Sequence, residues 1–150
     1  MPDTTSAPQQ PNPRRQPNGE QSAHSELRAF LRGFVYAFRG VAYTVKTQRN
    51  MRVHILAAIL AVAAGVLLKI PLVEFGFIAV AILSVLVSEM FNTVIEACVD
   101  LISPKYHPLA ERAKDVAAGA VLVNAGMAVI IGFIVFAPPL FSLFAGLWKH

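Results

Sequence analysis

Three apolar segments constrain this chain more than any other feature, because each is long enough to cross a lipid bilayer. They cover about 50–69, 75–99 and 115–137 of the 150 residues. A helix rises about 1.5 Å per residue, so roughly 20 apolar residues span the hydrocarbon core. Backbone polar groups in lipid must be hydrogen-bonded within the segment, which favours helices. The sequence therefore predicts three transmembrane helices.

The composition agrees with a membrane protein and argues against other classes. Charged residues make up 15% of the chain, whereas about a quarter is usual in soluble domains. Basic residues exceed acidic ones, 13 to 9, but they flank the apolar segments and form no separate basic domain. We therefore expect no nucleic-acid partner. The lone Cys98 excludes an intrachain disulfide.

The N-terminal region has a different composition. Residues 1–23 contain five of the ten prolines and few large apolar side chains, which predicts a disordered cytoplasmic tail. The tail lacks the apolar core of a signal peptide, so no cleavage is expected. We expect residues 24–150 to form one membrane domain.

An amphipathic helix is predicted over 25–48, before the first apolar segment. Apolar residues recur there at i, i+3 and i+4, and Ser25 is placed as the N-cap. Basic residues share the opposite face: Arg28, Arg32, Arg39 and Lys46. Such a helix lies naturally on an anionic membrane surface, although an ordinary core-facing helix is the alternative. The predicted fold is an all-α membrane protein with one surface helix and three spans.

The distribution of Lys and Arg predicts the orientation. Eight precede Val53 and three lie between the second and third apolar segments, whereas Lys69 and Lys149 lie on the other side. By the positive-inside rule, the N-terminus and the 100–114 loop are cytoplasmic and the C-terminus is outside. We expect a multi-pass membrane protein.

A polar stripe marks the second apolar segment. Glu89, Asn92, Glu96 and Asp100 are spaced i, i+3, i+7 and i+11, which places them within about 80° of one helix face. A charge at the bilayer centre costs about 2.5–3.5 kcal/mol, so such residues usually serve a function. Glu89 is a candidate base, and the alternative for Glu96 and Asp100 is a solvated helix end.

The next loop brings cations to the same membrane face. Lys105, Tyr106, His107, Lys114 and Asp115 all follow the stripe closely. Carboxylates and cations together suit a magnesium-bound phosphate compound, since Mg²⁺ takes one or two carboxylates plus phosphate oxygens. The sequence has no P-loop motif. Phosphoryl transfer fits these residues.

Two motifs resemble the small bacterial integral-membrane lipid kinases, the prokaryotic diacylglycerol kinase and undecaprenol kinase family. They are Glu89-Met-Phe-Asn-Thr-Val-Ile-Glu-Ala-Cys-Val-Asp100 and His107-Pro-Leu-Ala-Glu-Arg-Ala-Lys-Asp-Val-Ala-Ala-Gly-Ala-Val-Leu-Val123. The resemblance covers about 27–136. It implies a homotrimer with active sites shared between subunits, using MgATP to phosphorylate a lipid hydroxyl.

The resemblance also implies roles for matching positions. Glu89 would be the catalytic base, with Asn92 positioning the reacting groups, and Glu96 would bind magnesium. The residues expected around the nucleotide are Tyr36, Gln48, Glu96, Asp100, Lys105, Tyr106, His107, Lys114 and Asp115. Those expected next to the lipid, besides Glu89, are Asn50, Met51, Arg52 and His54.

Gln48 departs from the family pattern, which usually has a second metal-binding Glu at this position. A neutral amide in place of that carboxylate predicts weaker metal affinity or an altered nucleotide pose. Loss of kinase activity is the alternative at this position. The 107–110 and 117–121 stretches resemble the undecaprenol-phosphorylating branch more than the diacylglycerol branch.

Two non-enzymatic alternatives remain at this point. In a proton- or cation-conducting oligomer, Glu89 would line a polar path. However, Ser84 is the one polar side chain between Phe75 and Val87, so half of that path would be dry. A structural membrane subunit is the other alternative. Asn124 is expected either to hydrogen-bond between helices or to contact substrate.

Overall fold

The computed structural model describes residues 19–147, with side chains for 25–145. Four helices form: α1 (Gly19–Thr47), α2 (Arg49–Leu67), α3 (Leu72–Ile102) and α4 (Pro108–Leu147). The described residues contain no β-strand, so the all-α prediction is confirmed. Residues 1–18 of the predicted tail lie outside the described residues. Ser25 lies inside α1 and not at its N-cap, because the helix already begins at Gly19.

The chain divides into two compact units, and the boundary between Arg39 and Gly40 falls within α1. In the first unit the apolar side chains of α1 are exposed, among them Leu27 and Leu31. The rings of Phe30 and Phe34 meet edge to face, with centroids 5.0 Å apart. Among the described residues of this unit, this part of α1 therefore presents an exposed apolar stripe.

In the second unit, α2, α3 and most of α4 are long and apolar enough to cross a membrane. This agrees with the three predicted spans. α3 packs against both α4 and α2. The buried centre of this packing is Ile70, Ile78 and Val135. Most large apolar side chains of the spans face outward, as a lipid environment allows.

A tight turn connects α2 to α3. The amide of Ile70 donates to the Gly65 carbonyl (3.1 Å) and that of Lys69 to the Val66 carbonyl (3.2 Å), the bonds of a Schellman motif. Lys69 occupies the left-handed position (φ 52°) that glycine usually takes. A Cβ at Gly65 would lie 2.9 Å from the Phe75 ring. Glycine at position 65 therefore allows α3 to approach the end of α2.

α4 continues as a helix through Pro138 and Pro139 to Leu147, beyond the predicted third apolar segment, which ends at residue 137. Proline removes a backbone donor and usually kinks or breaks a helix. In an apolar segment, leaving the helix would strand still more backbone groups, so proline is tolerated. α4 therefore extends ten residues past the predicted end, and it also begins seven residues earlier, at Pro108.

Asn124 joins α4 to α3, so the predicted interhelical hydrogen bond is confirmed. Its Nδ2 donates to the Ser84 carbonyl (2.7 Å), and Ser84 Oγ donates to Asn124 Oδ1 (3.2 Å). These two bonds fix the α3–α4 register in the middle of the spans.

Candidate active site

The polar stripe of α3 goes from buried to exposed along the helix. Glu89 and Asn92 are buried, with 1% and 5% of their surface exposed. Glu96 is half-buried and Asp100 is exposed. Thr93 Oγ1 donates to the Glu89 carbonyl (2.9 Å) within the helix. Four residues predicted from their spacing thus lie on one face, with the deepest carboxylate fully enclosed.

Glu96 receives one amide hydrogen bond on each carboxylate oxygen. Gln48 Nε2 donates to Oε2 (3.0 Å), and Asn92 Nδ2 donates to Oε1 (3.1 Å). Gln48 lies at the N-cap of α2, so this contact ties the start of α2 to α3. The structure therefore brings together three predicted site residues.

A cavity of about 210 Å³, here named the polar cavity, lies in front of Glu89. Its lining residues are Asn50, Val53, His54, Glu89, Asn92, Ala118, Val121, Leu122 and Ala125. Both Glu89 carboxylate oxygens and Asn92 Oδ1 are buried without a hydrogen-bond partner among the described residues. Buried acceptors without donors are costly in native proteins and call for a ligand donor. The polar cavity can therefore accept a hydroxyl-bearing group.

The loop between α3 and α4 forms a second, open cavity of about 280 Å³ beyond the exposed end of the stripe. Asp100, Lys105, Tyr106, His107 and Lys114 all line it. Lys114 donates to the Asp100 carboxylate across the loop. The combination of a fixed carboxylate, two amines and two rings suits a solute that carries phosphates and a flat base.

Tyr106 is held by a hydrogen bond within this loop. Its hydroxyl donates to Glu111 Oε2 (2.8 Å), and that bond to a carboxylate raises the pKa of the Tyr106 phenol. His107 Nδ1 accepts from the Leu109 amide (3.2 Å) at the start of α4. Both rings are therefore anchored at one edge while remaining exposed.

Other predicted residues lie outside the two cavities. Met51 is buried at 2% exposure, and Arg52 and Asp115 are exposed, but none of the three lines either cavity. Tyr36 belongs to the first unit, where the Arg39 guanidinium lies 5.9 Å from its ring centroid.

Several features of the site escaped sequence analysis. The α4 wall of the polar cavity, including Ala118 and Val121, was not predicted from periodicity, because α4 beyond Asp115 is apolar on nearly every side. The burial of Thr93 was also missed, although its place beside Asn92 in the stripe could have indicated it.

The side chains of the site could hold a cation only if a bound compound supplied further oxygen ligands. The described residues contain no cluster of three or more His, Cys, Asp or Glu side chains that could hold a metal. Each Glu96 oxygen receives one amide bond, which leaves further lone pairs. Because Mg²⁺ accepts one or two carboxylates with phosphate oxygens and water, Glu96 fits a metal delivered with phosphates.

Comparison with known proteins defines the class of this three-span chain. The model of the prokaryotic diacylglycerol kinase family matches residues 35–136. An undecaprenol kinase of Bacillus subtilis is 43% identical over 116 residues, 77% of this chain and 94% of that protein. A diacylglycerol kinase of Synechocystis is 42% identical over 75% of this chain and 65% of its own length. One from Escherichia coli K12 is 32% identical over 63% of this chain and 78% of its own length. The chain belongs to the prokaryotic diacylglycerol kinase family, and it is a multi-pass membrane kinase.

Proposed function

We propose that this protein transfers the γ-phosphate of ATP to the hydroxyl of a membrane lipid, with undecaprenol as the preferred acceptor. The observation that carries the proposal is the buried Glu89 carboxylate, which faces the polar cavity with both oxygens unpartnered. A carboxylate in that state is suited to take the proton of an alcohol. Family membership supports the same reaction class.

In the proposed phosphoryl transfer, Glu89 acts as the base. The acceptor hydroxyl gives its proton to a Glu89 oxygen while its own oxygen forms a bond to the γ-phosphorus. The bond from that phosphorus to the oxygen it shares with the β-phosphate breaks, and ADP leaves with the electron pair. Such transfers depend mostly on positioning and charge neutralisation. Asn92 is fixed on Glu96 and is placed between the base and the nucleotide side.

The nucleotide is assigned to the cytoplasmic end of the stripe. Asp100, Lys105, Tyr106, His107 and Lys114 surround the open cavity, while Tyr36 and Asp115 enter through the family resemblance. Bound Mg²⁺ would neutralise phosphate charge, with Glu96 as its carboxylate ligand and Gln48 as a neutral neighbour. The Gln48 hydrogen bond orients the Glu96 carboxylate.

The choice of undecaprenol rests on similarity and not on the site. The Bacillus subtilis undecaprenol kinase aligns over nearly its whole length. The Synechocystis diacylglycerol kinase has almost the same identity but aligns over less of its own length. Diacylglycerol is accordingly the second candidate acceptor.

The proposal includes a membrane orientation and an oligomeric state. The N-terminus and the 100–114 loop face the cytoplasm, where ATP is available, and the C-terminus lies outside. Residues 24–150 act as one kinase domain after a cytoplasmic tail. A homotrimer supplies the further walls that the shallow, open nucleotide cavity of one chain lacks.

Phosphoryl transfer in mixed micelles tests the proposal. Purified protein is given ATP labelled at the γ-phosphate, with undecaprenol or diacylglycerol as acceptor. We expect label in the lipid, more with undecaprenol, and none with Glu89→Gln. Glu74→Gln is the matched control, because Glu74 lies in the first turn of the same helix and lines neither site cavity. Absence of transfer by the wild-type protein to both lipids would overturn the proposal.

A further inference from the structure

His54 lies where two cavities meet. It lines the polar cavity together with Glu89. It also lines an apolar groove of about 250 Å³ between α2, α3 and α4, whose other walls include Ala57, Ile78 and Phe136. His54 is the one polar side chain among the residues that line this groove. The imidazole therefore marks the border between the polar and apolar parts of the site.

The helix register places His54 at the depth of Glu89. The short turn after Leu67 makes α2 and α3 run in opposite directions, and the Gln48–Glu96 hydrogen bond aligns their cytoplasmic ends. Six residues from Gln48 to His54 span about 9 Å, and seven residues from Glu96 to Glu89 span about 10 Å. His54 and Glu89 are therefore level, on facing walls of one cavity.

Few hydrogen-bond donors are available to Glu89 in the polar cavity. The Asn92 amide nitrogen is already bonded to Glu96. The remaining polar side chains on the cavity wall are Asn50 and His54. Asn50 lies one turn closer to the cytoplasm and is exposed, whereas His54 is half-buried. The imidazole is therefore the donor at the right depth.

We propose that His54 is a positioning residue for the catalytic base: the structure contains no His54–Glu89 hydrogen bond, and reorientation of the imidazole within the shared cavity lets its ring N–H donate to one oxygen of Glu89. The second oxygen then stays free to receive the proton of the acceptor. This assignment rests on the proposed function and adds to it a group that acts through Glu89. It also explains how a carboxylate with two otherwise unpartnered oxygens is held in one orientation beside an apolar groove.

Paired substitutions separate positioning from a merely structural role. His54→Leu removes the donor, while His54→Gln keeps an N–H at similar reach. We expect His54→Leu to lower kcat about tenfold or more, the effect of losing one hydrogen bond to a charged group. His54→Gln should recover most of that loss, and KM for ATP should not change. Ile55→Leu, at a neighbouring position outside both cavities, is the matched control.

A second readout does not depend on turnover. With ¹⁵N-labelled histidine, the ring N–H proton of His54 should resonate downfield when bonded to a carboxylate and move back in Glu89→Gln. Equal kcat in the Leu and Gln variants, a change confined to lipid KM, or an N–H signal indifferent to Glu89→Gln would each overturn the assignment. Wild-type protein that transfers no phosphate would instead overturn the proposed function, and the resonance would still test the contact.

Discussion

Gln48 Nε2 donates a 3.0 Å hydrogen bond to Glu96 Oε2, although 48 residues separate them along the chain. The bond places a neutral amide where the family pattern has a carboxylate. Glu96 is therefore the one carboxylate at this point of contact, and the amide orients it. The proposed Mg²⁺ site should depend on that pair.

Gln48→Glu should lower the Mg²⁺ concentration that the protein needs for activity. Two carboxylates would face each other at hydrogen-bonding distance and repel without a cation, but together they would bind one more strongly. We expect half-maximal activity at a lower Mg²⁺ concentration and a lower Tm in the presence of a chelator. Gln48→Met, which removes the amide without adding charge, is the control. An unchanged magnesium titration and unchanged rate in Gln48→Glu would contradict this role.

Lys114→Gln should weaken nucleotide binding with little effect on stability. The Lys114–Asp100 pair is solvent-exposed, with side chains 38% and 65% accessible, and such pairs contribute about 0–1 kcal/mol. KM for ATP should rise severalfold while Tm stays nearly constant. Arg112→Gln, an exposed position on the same helix outside the loop cavity, should leave KM unchanged. Equal effects of the two variants would show a general charge effect.

Asn124→Leu should destabilise the protein more than Ser84→Ala does. Asn124 donates to a backbone carbonyl, which survives removal of the Ser84 hydroxyl. Asn124→Leu loses both interhelical bonds, and we expect a cost of about 1 kcal/mol, since such bonds in membranes average about 0.6 kcal/mol. Unfolding in bicelles provides the measurement. A larger loss in Ser84→Ala would mean that the hydroxyl, and not the amide, joins α3 to α4.

Gly65→Ala should lower the stability of the protein, whereas Gly126→Ala should raise it. A Cβ at Gly65 would lie 2.9 Å from the Phe75 ring, whereas a Cβ at Gly126 would meet no atom within 4 Å. Overpacking of a core costs about 1–3 kcal/mol, while alanine in an open helical position gains about 0.5–1 kcal/mol. Thermal unfolding of both variants checks this. Phe75→Leu should restore stability to Gly65→Ala if the ring is the obstacle.

The sequence predicted those parts of the fold that repeat along one helix. The three spans follow from apolar length, and the Glu89 to Asp100 stripe follows from helical spacing. Contacts between helices could not be derived in this way, because the Gln48–Glu96 bond has no local pattern. The α4 residues that line the polar cavity could not be derived from periodicity either, since a helix that is apolar on nearly every side has no distinct inward face.

Two helix-end signals in the sequence do not coincide with helix ends. Ser25 has the side chain of an N-cap, yet the helix continues past it to Gly19. Pro138 and Pro139 carry a strong stop signal, yet α4 passes through both. Rules for helix ends describe competition with water. At Pro138 and Pro139, within an apolar segment, that competition is absent, so proline need not end the helix. Ser25 lies in a polar stretch, and nothing in the structure explains why α1 extends past it to Gly19.

The outward-facing apolar surface of the spans makes the surrounding medium part of the fold. Among the described residues only eight large or small apolar side chains are buried inside the chain. Annular lipid and neighbouring protein must therefore supply most of the contacts that an interior core supplies elsewhere. Replacing native lipid with a short-chain detergent should consequently change both stability and the width of the acceptor site, so measured substrate preference is a property of the protein together with its bilayer.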